Sequence, residues 1–389
     1  MIPATRTSIP ATSPLLRPFR FDGLEIGGFR DAQEGSGTSR GQCDALLALD
    51  FEGTAFRPLA ERLAQARGRI GESGVLLLAL PNRFGLRFWS GCPEPGTGRL
   101  FATLVPPDAR SGATSAAGTP IDAARSYVSR RELADALTLA DLKALEWFFA
   151  VPERGEGDGS GALISARLVE ASPELAAELT SLQPSADRLR PRLDLFPETL
   201  VGRELARSGL FAEFANHFFV AATGRDVAPD STIWARLRPP AKEVAWHFAS
   251  SRKDPVATVF DLDNDKITVR KERLASGQGG EAGGIHWSFP PSSPLAAGEP
   301  LRLRLQRHLL AGRGVGFLGE IVDLFAAVRE RFPLAEGLSA EALDAIATNA
   351  TRDSAGAFEL FDLEWRRSAG VGASWWILRN VLACIEMRG

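Results

Sequence analysis

Two kinds of hydrophobic pattern organise the chain. Short unbroken apolar runs at 43–50 (CDALLALD) and 74–80 (GVLLLAL) read as strands buried on both faces. Between them Leu59, Leu63, Ala66 and Ile70 recur on one face of a helix over 56–70. Strand, helix, strand in that order predicts a parallel crossover. Ser129 followed by Glu132 forms a capping box that starts a helix near Arg130, and strand-like runs at 142–151 and 162–168 follow it, parted by a glycine-rich turn. Further strand-like runs cover 243–249, 256–261 and 266–270, with Asp263, Asn264 and Asp265 turning the chain between the last two. Helical spacing then takes over. Leu318, Ile321, Phe325, Val328 and Phe332 form one stripe, and Ser374 caps a closing helix expected to turn Leu378, Leu382 and Ile385 inward. Strands followed by helices indicate a two-lobed α+β unit in this half.

Glycine- and proline-rich breaks fall at 105–119, 153–161, 222–240 and 276–300, and the one near 230 divides the chain into halves of domain size. Residues 1–40 read as an irregular or disordered tail, because proline spacing in the first twenty residues prevents an amphipathic import helix. Two domains, 41–228 and 229–389, are expected after it. With 389 residues, 44% hydrophobic and 24% charged, the chain can bury one large core or two ordinary ones, and its longest apolar run, 75–80, is too short to span a bilayer. A cytoplasmic protein without a transmembrane segment is the expectation. Three cysteines with no C-x-x-C leave zinc and redox chemistry unsupported, and a net charge of -3 offers no footprint for nucleic acid or acidic lipid. No G-x-S-x-G elbow supports acyl transfer, and the four histidines are expected to serve packing. Arginine supplies almost every positive charge, so the positions of the few lysines and asparagines carry information.

The stretch 74–100, GVLLLALPNRFGLRFWSGCPEPGTGRL, together with SYVSRREL at 126–133, resembles the late strand and following segments of class I SAM-dependent methyltransferases. It is most similar to bacterial members found beside glycosyltransferases in surface-polysaccharide assembly, over roughly 43–225. Asn82 and Arg83 leave the carboxyl end of a parallel strand, where doubly wound sheets bind ligands. The resemblance places Asp50 and Glu52 among the residues facing SAM. The alternative for Asn82 is a turn-closing role, with Trp89 in the core. A SAM site also needs a glycine-rich turn after its first strand. LEIGGF at 24–29 is the candidate, yet only 18 residues separate Ile26 from Ala45, where intervening βαβ units need on the order of 60. The expected fold of this half is α/β, a truncated Rossmann-like methyltransferase sheet lacking its SAM-binding part.

In the second half Lys271 ends the run ITVRK, as a strand lysine that pairs nucleotide phosphates does. LDAIATN sets Asp344 and Asn349 five apart, the spacing within H-R-D-x-x-x-x-N, and Asp362 in FDLEW follows thirteen residues later. Phosphoryl transfer needs a cation at the phosphates, a carboxylate to accept the hydroxyl proton and oxygen ligands for Mg²⁺. This half resembles the kinase-like domain fused to the same methyltransferases in proteins that cap or modify O-antigen-type glycans. The resemblance implies a kinase-like two-lobed α+β fold and ATP with magnesium. It casts Asp344 as catalytic base, Lys271 as a cofactor-binding residue beside Asn82 and Asp50, and Asn349 and Asp362 as metal ligands. Its implied acceptor is a glycan or lipid-linked sugar, with glycosyltransferases as partners. The sequence departs from that pattern in several places. SSRKDP at 250–255 lacks glycine where a phosphate-covering loop belongs, Ala342 and Leu343 replace the motif's His and Arg, and Asp362-Leu363-Glu364 replaces DFG. The segment after Lys271 is too short for a helix carrying its partner glutamate, leaving Glu272 and Glu281 as substitutes. Each residue also has a structural reading: Lys271 on the surface, Asp344 and Asn349 on a helix capped by Ser339, and Asp362 on backbone amides. Three functions follow: an ATP-dependent phosphotransferase, a non-catalytic interaction module, or a truncated methyltransferase.

Overall fold

The apolar run at 74–80 lies inside a strand, Ile70–Pro81, whose last eight residues are all buried. A computed structural model describes residues 16–28, 43–48, 59–94, 98–105, 127–151, 161–181, 195–228, 230, 232–249, 255–274, 280–289 and 292–386. The chain divides into two units, Met1–Ser251 and Arg252–Gly389. Together they make a mixed α/β protein.

Unit one contains β1 (Ile26–Gly28), β2 (Cys43–Ala48), α1 (Leu59–Arg69), β3 (Ile70–Pro81), α2 (Leu86–Trp89), α3 (Arg130–Leu139), β4 (Leu142–Val151) and β5 (Gly161–Ser165). Helices α4 (Ala166–Ala171), α5 (Pro173–Ser181), α6 (Glu198–Arg207) and α7 (Phe211–Phe214) follow, then β6 (His217–Gly224), α8 (Trp234–Leu237) and β7 (Glu243–Ala249). Its strands run in the order β1-β2-β3-β6-β4-β5-β7. β2 and β3 are parallel neighbours on either side of α1, as the crossover pattern predicts, and the pairings of β6, β4, β5 and β7 are antiparallel. The capping box at α3 is complete. Glu132 N–H donates to Ser129 Oγ at 3.2 Å and Ser129 N–H to Glu132 Oε2 at 2.7 Å. The run at 162–168 is cut short at Ser165, whose hydroxyl accepts from Leu168 N–H at 3.3 Å and opens α4.

Part of the expected tail is structured. β1 pairs in parallel with β2, and Phe19 is buried, stacked on Phe219 at 5.3 Å and edge-on to Phe148 at 5.6 Å. The buried Phe19 ring anchors this segment on the Phe148 and Phe219 rings. The boundary also differs: β7 pairs with β5, so 243–249 belongs to unit one although a division at 228/229 puts it in the other half.

Unit two starts with the hairpin β8 (Val256–Asp263) and β9 (Lys266–Arg273), whose register pairs Asp263 with Lys266. Asn264 and Asp265 between them both have positive φ, 46° and 64°, the geometry of a two-residue type I′ turn. Short strands β10 (Gly280–Ala282), β11 (Ile285–Trp287), β12 (Ser293–Pro294) and β13 (Glu299–Pro300) lead to α9 (Leu301–Leu310) and α10 (Gly314–Arg331). Two 3₁₀ turns, Ala340–Asp344 and Ala347–Asn349, precede β14 (Ala350–Arg352), β15 (Phe358–Leu360), β16 (Trp365–Arg367) and α11 (Ala373–Glu386). β12 adds to β9, while β10-β11-β16 and β13-β14-β15 form two small sheets.

The core of this unit gathers Leu301, Leu305, Phe317, Ile321, Leu324, Val328 and Trp376. Leu318 is 54% exposed, so the inward stripe of α10 runs through Phe317 instead. On α11 Leu378 and Leu382 likewise face outward, and Trp376 and Asn380 take the fully buried positions. Ser374 lies within α11 rather than ahead of it, and the side chain of Ile385 is outside the described residues. Among the described residues no helix is long and apolar enough to cross a membrane.

Candidate functional site

Lys271 reaches its position through the hairpin. In β9, alternation sends Lys271 to one face and Arg270 and Glu272 to the other, where Arg270 pairs with Asp261 at 3.0 Å and also with Glu272. Glu281 lies beside His286, at 3.5 Å. The carboxylates on the Lys271 ammonium are instead Asp362 and Glu364. All three come from unit two, and two of them are nearly sealed from water: the side chains of Lys271 and Glu364 are 7% and 2% exposed, that of Asp362 39%.

Asp344 ends the first 3₁₀ turn and is buried, not on a solvated helix face. Its Oδ2 accepts from the backbone N–H of Glu364 at 2.9 Å and of Trp365 at 3.3 Å. Asp362 makes this possible. It adopts φ 57° between β15 and β16, a left-handed conformation that aspartate tolerates better than most residues, and the chain reverses so that the next amides meet Asp344. Asn349 ties the two turns together. Its Nδ2 donates to the carbonyl of Asp344 at 3.0 Å and to that of Asp362 at 3.5 Å. The spacings of five and thirteen residues are therefore the two arms of one clamp. α11 secures the turn from behind: Arg379 donates to Leu343 O, Trp376 Nε1 to Ala345 O at 3.1 Å, and Ala347 N–H donates to Asn380 Oδ1 at 2.7 Å.

Burial, and then the charge of Asp362, push the Asp344 carboxyl up to about 7, against the opposing pull of the Trp365 amide, Arg379 and Lys271. A carboxylate poised there exchanges a proton near neutral pH. The structure thus brings Lys271, Asp344, Asn349 and Asp362 into one cluster and adds Glu364, Arg379 and Asn380. Glu364 had only a weak sequence signal, a second acid two residues from Asp362, because the left-handed turn at Asp362 that brings both acids to Lys271 is not written in their spacing.

The polar residues after β3 in unit one are arranged differently. Asn82 is fully buried. Its Nδ2 donates to the carbonyls of Glu213 at 2.7 Å and Ala215 at 2.8 Å, and its Oδ1 accepts from Phe84 N–H at 2.9 Å. Arg83 binds Glu132 at 2.8 Å and the Leu104 carbonyl at 3.1 Å. Nearby, burial and the charge of Arg87 hold His217 well below the usual imidazole range, so it is neutral. Asp50 and Glu52, and residues 250–254 of SSRKDP, lie outside the described residues. Among the described residues no group of three or more His, Cys, Asp or Glu side chains is arranged to hold a metal. Comparison with protein-family models, with curated proteins and with solved structures returns no match to this chain.

Proposed function

We propose that unit two is an ATP-dependent phosphotransferase acting on a hydroxyl of a glycan or lipid-linked sugar. The observation that carries this reading is the convergence of Lys271, from a distant strand, with Asp344, Asn349 and Asp362 on one clamp with a carboxylate titrating near neutrality. The acceptor class, a cytoplasmic setting and glycosyltransferase partners rest on the resemblance of 74–100, 126–133 and the Asp344–Asp362 segment.

The geometry is compatible with the roles that the resemblance implies. Lys271 offers its ammonium to the phosphates. The acceptor hydroxyl oxygen bonds to the γ-phosphorus while its proton passes to the Asp344 carboxylate, the bond from that phosphorus to the bridging oxygen breaks, and ADP leaves. The donor set fits magnesium. Mg²⁺ takes one or two carboxylates plus substrate phosphates and water, without a dedicated protein cage. Asp362 supplies a half-exposed carboxylate, and Asn349, its nitrogen committed to two carbonyls, presents its amide oxygen as the acceptor end. Magnesium bound there would neutralise phosphate charge.

Calorimetric titration with ATP and Mg²⁺ tests the proposal: wild type binds and Asp362→Ala does not. Binding unchanged in that variant, or no binding by wild type, overturns it. Titration with SAM examines the truncated-methyltransferase reading, for which Asn82, its amide saturated by backbone partners, gives no support. The non-catalytic module has one observation in its favour. Asp344 and Asn349 also serve as ties between backbone segments, and such a module would show no thermal shift with ATP or SAM.

A further inference from the structure

The two carboxylates on Lys271 differ in how readily they can release it. Glu364 has a side chain 2% exposed, against 39% for Asp362. Its backbone is fixed on both sides: Glu364 N–H donates to Asp344 Oδ2 at 2.9 Å and to Asp362 O at 3.0 Å, and its carbonyl accepts from Ser288 N–H at 3.0 Å. Taking a cation away from a buried carboxylate is strongly unfavourable. A carboxylate in contact with water is rehydrated at little cost. Lys271 can therefore leave Asp362 for an incoming anion but not Glu364. Neither Glu272 nor Glu281 competes for it, since one pairs with Arg270 and the other lies beside His286.

We propose that Glu364 is the positioning residue for Lys271: its buried carboxylate holds the ammonium at the site while the exposed carboxylate of Asp362 yields it to a nucleotide phosphate. This rests on the phosphotransferase reading. In protein kinases the strand lysine is held by a glutamate on a helix of the same lobe. Here the partner comes from the same short segment as the Asp362 carboxylate, so the phosphate-facing cation and that acid are set by one piece of backbone.

The test reads ADP affinity by calorimetry at fixed magnesium in wild type, Glu364→Gln and the double variant Glu364→Gln/Lys271→Met. If Glu364 acts through Lys271, Glu364→Gln weakens ADP about tenfold, and adding Lys271→Met changes it less than about twofold further. Glu364→Asp, which keeps the charge on a shorter stem, retains more affinity than the isosteric Gln, whereas a residue needed only for its shape gives the reverse order. Should Glu364→Gln not fold, Glu364→Asp with and without Lys271→Met is read in its place. Wild-type affinity in Glu364→Gln, or a further large loss on adding Lys271→Met, overturns the assignment and leaves the phosphotransferase reading standing. Absence of ADP binding by wild type overturns both.

Discussion

Asn82 in unit one and Asp344 in unit two are both buried polar residues holding backbone segments together, and they differ in what is left over. The Asn82 amide is neutral, and its donors and acceptor are matched to two carbonyls and one N–H. Asp344 brings a charge to a buried turn already facing a second carboxylate, and its cost is visible in a carboxyl shifted to about 7. Saturated hydrogen bonding makes a rivet. Surplus charge in a buried turn instead moves proton exchange towards neutral pH.

The largest expected difference between the two is chemical. Asp344→Asn keeps an oxygen to accept the Glu364 and Trp365 amides, so the fold is expected to persist while the proposed phosphotransfer falls by about 10²–10⁴-fold, measured as ATP turnover with a sugar acceptor. Lys271→Met leaves Glu364 buried without this cation and is expected to cost unit two about 3–5 kcal/mol, read by urea unfolding. The pH dependence comes next. The folded carboxyl of Asp344 titrates above its unfolded counterpart, so its contribution is fully present below about pH 4 and is lost as pH rises towards about 7. The loss is at most about 4 kcal/mol, and unfolding of Asp344→Asn across that window should lack this component. Asn82→Ala orphans the carbonyls of Glu213 and Ala215 and should cost about 1–3 kcal/mol with no change in ATP affinity; a loss of ATP binding there would erase the contrast. Smallest of all, Leu318→Gln on the outer side of α10 is expected to alter stability by less than about 0.5 kcal/mol.

Local chemistry was the legible part of the sequence. The Asp263–Asp265 turn, the Ser129–Glu132 capping box and the crossover into β3 each depend on a few neighbouring residues, and each formed where those residues stand. The inward faces of α10 and α11 were less legible because both helices carry apolar residues on more than one side. Leu318 and Phe317 are equally apolar, and only the partners across the core, with Trp376 packed on Phe325 at 5.5 Å, decide which one is covered. The ordered spacing of Asp344, Asn349 and Asp362 pointed to residues that do meet, though through an asparagine clamp that spacing alone does not reveal. Glu364 is not legible as the partner of Lys271, because Glu272 and Glu281 lie nearer in sequence while the ion pair closes across 93 residues. LEIGGF reads as a strand, as β1 is, whereas Phe19 lies next to the prolines of the first twenty residues, whose spacing does not reveal the rings it packs on.

The hairpin between β8 and β9 has an effect beyond joining two strands. Its pair of left-handed residues counts out the ladder, and a single inserted or deleted residue there would rotate every following side chain to the opposite surface. Arg270 or Glu272 would then confront Asp362 and Glu364, so the sign of the group meeting those acids is dictated by a bend that never touches them.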